Sequence, residues 1–193
     1  ILMLSGVGPA EHLKTKGIAV AQALRGVGKN LQDHLQVRAV YKLTKPLSIN
    51  NEVRSLLGRG LAGLQFMLTR RGVLSMAASQ VCAFVRTREG LAAPDIQFHV
   101  QPLSLDRFGE PLHRFPAITV AACNLRPTSR GTIQIRSAAL EAAPRIAPNY
   151  LSTEEDRQIA ADAIRVTRRL MRQPALQPYR PDEYLPGPQT GDD

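Results

Sequence analysis

From residue 36 to residue 136, short segments carry apolar side chains at every second position, a period that builds strands and not helices. Residues 36–43 set Val37, Ala39, Tyr41 and Leu43 against Gln36, Arg38 and Lys42. Residues 95–101 alternate Ile96, Phe98 and Val100 with Gln97, His99 and Gln101, and residues 132–136 alternate Ile133 and Ile135 with polar neighbours. Residues 80–86 and 117–125 are apolar on both sides, which for 80–86 predicts a central strand. Pro127-Thr128-Ser129-Arg130-Gly131 has the chemistry of a turn and predicts an antiparallel pair between the two strands it joins.

Helical spacing appears before, between and after the strands. Pro9 before Ala10-Glu11-His12-Leu13-Lys14, with Gly17 beyond, predicts a short helix that starts on its proline. In residues 52–70, Val53, Leu56, Leu57, Leu61, Leu64 and Leu68 recur at the helical period. Gly58, Gly60 and Gly63 each weaken that helix by up to about 1 kcal/mol relative to alanine. They either allow close packing or divide it in two. Residues 153–172 predict the best-defined helix. Ser152 and Glu155 form a capping box, Glu154, Glu155 and Asp156 complement the amino-terminal dipole, and Ile159, Ala163, Val166, Leu170 and Met171 form a buried stripe. Strands grouped between helices, with no regular βαβ alternation, predict an α+β fold: a mostly antiparallel sheet with helices packed on one face.

Among the 193 residues, 25 Lys+Arg face 16 Asp+Glu, a formal net charge of +9. Twenty of the basic residues are arginine, scattered and not clustered. With no Trp, 5% aromatic residues and no helix-turn-helix or zinc pattern, the charge reads as a solvated surface or a face for an acidic partner, ahead of nucleic-acid or anion binding. Two cysteines make neither a disulfide framework nor a four-cysteine zinc site, the four histidines lack metal-ligand spacing, and no apolar run is long enough for a membrane span. A cytoplasmic location is the expectation.

No complete catalytic constellation is visible. Gly6-Val7-Gly8 and Gly26-Val27-Gly28 lack the third glycine of G-x-G-x-x-G, and Ser5 lies outside a G-x-S-x-G elbow. Asp33-His34 reads as loop structuring ahead of an acid–base pair. His99, flanked by Gln97 and Gln101 on one strand face, fits a pocket lining and a solvent face equally.

Several motifs in fixed order resemble the glucose–methanol–choline (GMC) oxidoreductases. Residues 1–13, Ile-Leu-Met-Leu-Ser-Gly-Val-Gly-Pro-Ala-Glu-His-Leu, resemble the end of that family's second signature. Gly26-Val27-Gly28-Lys29-Asn30-Leu31-Gln32-Asp33-His34, the Ser129-Arg130-Gly131 turn, Pro148-Asn149-Tyr150-Leu151 and Gln173-Pro174-Ala175-Leu176 continue the match. The resemblance, choline dehydrogenase-like in flavour, implies the substrate-binding portion of an FAD-dependent enzyme that moves a hydride from an alcohol carbon to the flavin. Residues 1–35 would be a remnant of the FAD-binding domain and the crossover from it, 36–180 the substrate-binding domain, and 181–193 a tail. Asn30, Gln32, Asp33 and His34 would lie near the cofactor; His99 and His113 would bind substrate. The G-x-G-x-x-G unit and the His-Pro-x-Gly-Thr segment with the catalytic histidine are missing from these residues. An internal fragment is therefore expected, without a catalytic residue or metal of its own and without FAD retained by the chain alone. Its partners would be the missing FAD-binding domain and a small alcohol, and exposed residues among Leu2, Leu4, Val7 and Leu13 would mark that interface. The alternative is a non-catalytic truncated relative serving as a binding module.

Overall fold

The computed structural model describes every residue except Pro46, Phe108, Pro188, Asp192 and Asp193. In chain order the elements are β1 (Val7–Gly8), α1 (Ala10–Thr15), β2 (Gln22–Ala23), β3 (Gln36–Lys42), α2 (Ile49–Glu52), α3 (Leu56–Thr69), β4 (Val81–Val85), β5 (Ile96–Gln101), β6 (Ala117–Asn124), β7 (Thr132–Gln134), β8 (Arg145–Ala147), α4 (Glu154–Met171) and β9 (Asp182–Leu185). They form two compact units: residues 1–35 with 126–158, and residues 36–125 with 159–193. The division at 35/36 falls where the sequence changes character, whereas residues 126–158 group with the amino-terminal segment.

In the first unit, β1 pairs in parallel with β2 around α1, and β7 pairs antiparallel with β8. Pro9 is the residue before α1 and not its first turn, and Gly17 closes the helix at φ 72°. Leu13 is fully buried within this unit, so it marks no open interface; Leu2 is 56% exposed. The turn at residues 127–131 does not fold β7 back onto β6. Gly131 instead exchanges two backbone hydrogen bonds with Leu31, at 2.8 and 3.1 Å, and a Cβ on Gly131 would collide with the carbonyls of Ala147 and Pro148. Asp156, in the first turn of α4, clamps the turn by accepting from the Thr128 N–H at 2.9 Å and the Ser129 N–H at 2.8 Å. Thr153 caps the helix through the Asp156 N–H, one residue beyond the expected Ser152, whose own N–H is held by the Ser129 hydroxyl.

The second unit is one antiparallel sheet in the order β4-β5-β6-β3-β9. One face carries Ala39, Tyr41, Ile96, Phe98, Val120 and Ala122, and α4 lays Ile159, Ala163, Val166 and Met171 onto it. Leu170, expected in that stripe, lies off it and is 38% exposed. β4 is an edge strand, not a central one: Val81 and Phe84 are more than half exposed, because apolar residues on both sides of a strand do not tell a buried face from an open one. Part of the segment read as a tail forms β9, which pairs with β3 and is fastened to α4 by Glu183 and Arg168.

The 52–70 segment breaks at residues 53–55, and α3 then runs through all three glycines. Only Gly58 is sterically required, since a Cβ there would meet the Glu52 carbonyl; around Gly60 and Gly63 space is open. Gly60→Ala is therefore expected to raise stability by about 0.5–1 kcal/mol in urea unfolding, and a loss would contradict this geometry. The leucines of α3 face outward: Leu56, Leu57, Leu61, Leu64 and Leu68 are 48–85% exposed.

Candidate functional site

The sheet face opposite α4 is built in rows by the strand register. One row crosses β4, β5, β6 and β3 as Cys82, His99, Ala121 and Arg38; the next runs Phe84, Gln97, Cys123 and Gln36. A third row, Gln101, Thr119 and Val40, is closed over by the chain that follows β5, where the Thr119 hydroxyl donates to the Leu103 carbonyl at 2.8 Å. The face is thus shut at one end and open at the other. Ala121 and Cys123 make a buried floor of small side chains, His99 and Gln97 stand half-buried above it, and Phe84 forms a 58% exposed apolar wall.

The open end is rich in neutral hydrogen-bonding groups. Gln97 reaches the Cys82 sulfur at 2.9 Å, whereas the His99 ring makes no side-chain hydrogen bond among the described residues. At the shut end, Gln101 reaches Ser79 at 3.3 Å and leaves its buried Oε1 without a partner among the described residues. Burial pushes the Cys123 thiol up from its ordinary value, so it is a floor and not a nucleophile. A small floor, one apolar wall and an uncommitted imidazole suit a small hydroxylated molecule, to which His99 can offer a donor or an acceptor. Sequence alternation had singled out His99 with its neighbours on β5. Arg38, Cys82 and Phe84 escaped it, because pairing register places them there and no local pattern encodes it.

His113 is placed differently. Its side chain is 9% exposed, Nδ1 lies 3.0 Å from the Ser104 hydroxyl and Nε2 lies 3.1 Å from Asp106. The ring stacks on Phe115 at 4.8 Å and meets the edge of Tyr184 at 5.4 Å. With both nitrogens engaged, His113 holds a loop in this structure. The Lys42 ammonium already sits over the Phe115 and Tyr184 rings, at 5.0 and 4.5 Å, so this aromatic group has its cation from within the chain.

In the first unit, three of the motifs read from the sequence converge. The loop at residues 26–34 bridges to Gly131, Gln32 donates to the Pro127 carbonyl at 2.9 Å, and the Tyr150 hydroxyl donates to the Asp33 carboxylate. That hydrogen bond, with lesser burial and charge effects, raises the Tyr150 pKa. Asp33 also accepts the His34 backbone N–H at 3.0 Å. Asn30, held at φ 57°, Gln32, Asp33 and His34 are all exposed. The loop is therefore a braced edge presenting amide and carboxylate groups. No metal-holding cluster of His, Cys, Asp or Glu occurs among the described residues, and no helix among them is long and apolar enough to cross a membrane.

The second unit thus holds an antiparallel sheet with one covered and one open face, and the first holds a loop braced by the sequence motifs. Residues 127–193 match the family profile described as GMC oxidoreductase. The chain is 40% identical over 97% of its length to an oxygen-dependent choline dehydrogenase of Photobacterium profundum, of which it spans 33%. Among solved structures it matches pyridoxine 4-oxidase from Mesorbium loti with a TM-score of 0.76 and 26% identity, covering 99% of this chain and 34% of that one. A formate oxidase from Aspergillus oryzae, studied for the modification of its FAD, shares the fold at a TM-score of 0.88 and 21% identity, over 99% of this chain and 38% of that one. The chain spans about a third of the length of the curated relatives it matches, and its resemblance to the GMC oxidoreductases runs over nearly all of its own.

Proposed function

We propose that this chain supplies the substrate-facing sheet and one cofactor-facing loop of an FAD-dependent oxidoreductase acting on a small alcohol of the choline type. The observation that carries the reading is the half-open sheet face, where the His99 imidazole stands uncommitted above a floor of small side chains. The similarity to choline dehydrogenases supports the substrate class, and the relatives' flavin supports the cofactor. Bound FAD would supply the hydride acceptor. His99 would hydrogen-bond and orient the alcohol oxygen, Phe84 and the floor would exclude water from the carbon skeleton, and the Asn30–His34 loop would meet a polar edge of the cofactor.

The donor set fits that edge only. Asn30 offers a free amide, but the chain has no three-glycine turn to cradle a pyrophosphate, so stoichiometric flavin is not expected to copurify with these residues alone. Residues 1–35 then belong functionally with an FAD-binding domain and residues 36–180 with substrate binding. The leucine face of α3 is proposed to lie against the remaining part of a polypeptide about three times this length.

The test is steady-state choline oxidation by the flavin-loaded full-length enzyme and its His99→Ala variant. A fall in kcat/KM of about 10²-fold or more is expected, with unchanged flavin content, as for loss of a positioned proton-transferring or hydrogen-bonding group. Unchanged kcat/KM would remove His99 from the reaction. The outward leucines favour a second reading, a non-catalytic binding module, and a full-length protein that holds no flavin and oxidises no alcohol would establish it over the first.

A further inference from the structure

A second concave site lies in the same unit, where the connection between α2 and α3 faces residues 111–114. Its volume is about 420 Å3, and Arg54, Arg59 and Arg114 line it together with His113, Val53 and Leu112. These three arginines, all exposed, share the lining without an ion pair among the described residues. Arg54 reaches the Arg114 carbonyl at 3.5 Å and Arg59 the Val53 carbonyl at 2.8 Å, leaving most of their donors uncommitted. The lining residue His113 is paired with Asp106 at 3.1 Å.

The wall is preorganised by a buried polar network. Asn50, 2% exposed, donates to the Ser104 hydroxyl at 2.9 Å and to the Phe115 carbonyl at 3.1 Å, and accepts the Ser104 N–H at 3.1 Å. His113 completes the network through Ser104 at 3.0 Å and its stack on Phe115. Ser104, His113 and Asp106 have the composition of a hydrolytic triad, but Ser104 is fully buried and presents no nucleophile. The network's physical consequence is a backbone wall fixed in place, so that binding has only the exposed arginine side chains left to order.

We propose that this cavity binds a small multivalent oxyanion, a phosphorylated or polycarboxylated metabolite. The three arginines form the clamp, and Val53 and Leu112 pack against the ligand's carbon skeleton. Planar guanidinium forks match phosphate and carboxylate oxygens in pairs, and neighbouring like charges lower their mutual repulsion by taking up an anion. The cavity is too small and concave for a duplex, so the scattered positive charge of the chain acquires a local use different from nucleic-acid binding. This site is separate from the open sheet face and does not depend on the flavin reading.

The experiment is isothermal titration of the purified protein with pyrophosphate and, separately, with citrate. Saturable binding at one site is expected, weakened about tenfold or more by the Arg59→Ala/Arg114→Ala double variant, as for loss of charge-assisted contacts. Preference for pyrophosphate assigns the phosphate class, and preference for citrate the carboxylate class. Arg169→Ala, on α4, is the control and should leave affinity unchanged. If the alanine variant melts earlier than the parent, Arg59→Lys/Arg114→Lys keeps the charge, loses the fork and should still weaken binding. The proposal is overturned by no saturable binding to either probe, by affinity that survives both double variants, or by an equal loss in Arg169→Ala, which would mean general attraction to a cationic surface.

Discussion

Replacing Arg168 with methionine is expected to cost about 3–5 kcal/mol, because it leaves a carboxylate uncompensated inside the fold. Arg168 and Glu183 are 11% and 14% exposed at the side chain and form a forked pair at 3.0 and 2.9 Å. The Arg168 hydrogen bonds are the main cause holding the Glu183 carboxyl below its ordinary value, against burial. The Tyr41 hydroxyl donates to Glu183 at 3.4 Å, and burial together with that carboxylate pushes the Tyr41 phenol well above its usual range. Glu183→Gln should cost less, about 1–2 kcal/mol, because Arg168 keeps the carbonyls of Thr190 at 3.0 Å and Gly187 at 3.5 Å. Urea unfolding of the two variants checks the asymmetry, and equal losses would refute it. The pH behaviour follows the same sign. A carboxyl depressed in the folded state stabilises above its unfolded value and loses that contribution as pH falls. The methionine variant should therefore show a shallower acid limb than the parent.

Asp156 is the second position with a large expected effect. Burial alone would raise its pKa, but hydrogen bonds from Ser129 and Thr128 outweigh it and bring the carboxyl down to about 2. Against an ordinary carboxylate near 4, the shift corresponds to about 2 kcal/mol of stability, fully present above pH ~4 and lost as pH falls toward ~2. Asp156→Asn would turn one amide N–H toward a donor where the carboxylate accepts from Thr128 and Ser129. A loss of about 2–3 kcal/mol at neutral pH is expected, together with loss of the acid-dependent step. Thermal unfolding from pH 7 down to pH ~2 reads both. A variant as acid-sensitive as the parent would show that another carboxylate carries the step. The same substitution should release residues 127–131, detectable as faster amide exchange at Thr128 and Ser129.

The elements that could be read from residue order were those whose own side chains carry the period. β3, β5 and β6 alternate or run apolar over the residues that form them, and α4 shows its acidic first turn, its basic last turn and a stripe of which Ile159, Ala163, Val166 and Met171 are buried. Errors arose where burial depends on what lies opposite. β4 looks central because both its sides are apolar, yet it borders the sheet. The leucines of α3 have the spacing of a core helix and point away from the core of this chain. Gly131 sits in turn chemistry, but its partner is Leu31, a hundred residues earlier, and not the next strand's hairpin.

The candidate site divides in the same way. His99 was visible because Gln97, His99 and Gln101 share one strand face, a property of period two. Its row-mates Cys82, Ala121 and Arg38 come from three other strands and are set by register. His113 carried no signal separating it from His99. Only the packing of Ser104, Asp106 and Phe115 around the ring made it a fastener.

By itself, then, the sequence determined the α+β class, the strand and helix periods, and the motif order that relates the chain to GMC oxidoreductases. These are local or linear properties, written in neighbouring residues. The tertiary structure alone decided which strand took the edge, that residues 182–185 joined the sheet, which face stayed open, and that Arg114 came to share one cavity with Arg54 and Arg59. Those depend on pairings and contacts between residues far apart in the chain, where many registers satisfy the same local pattern and only mutual packing selects one.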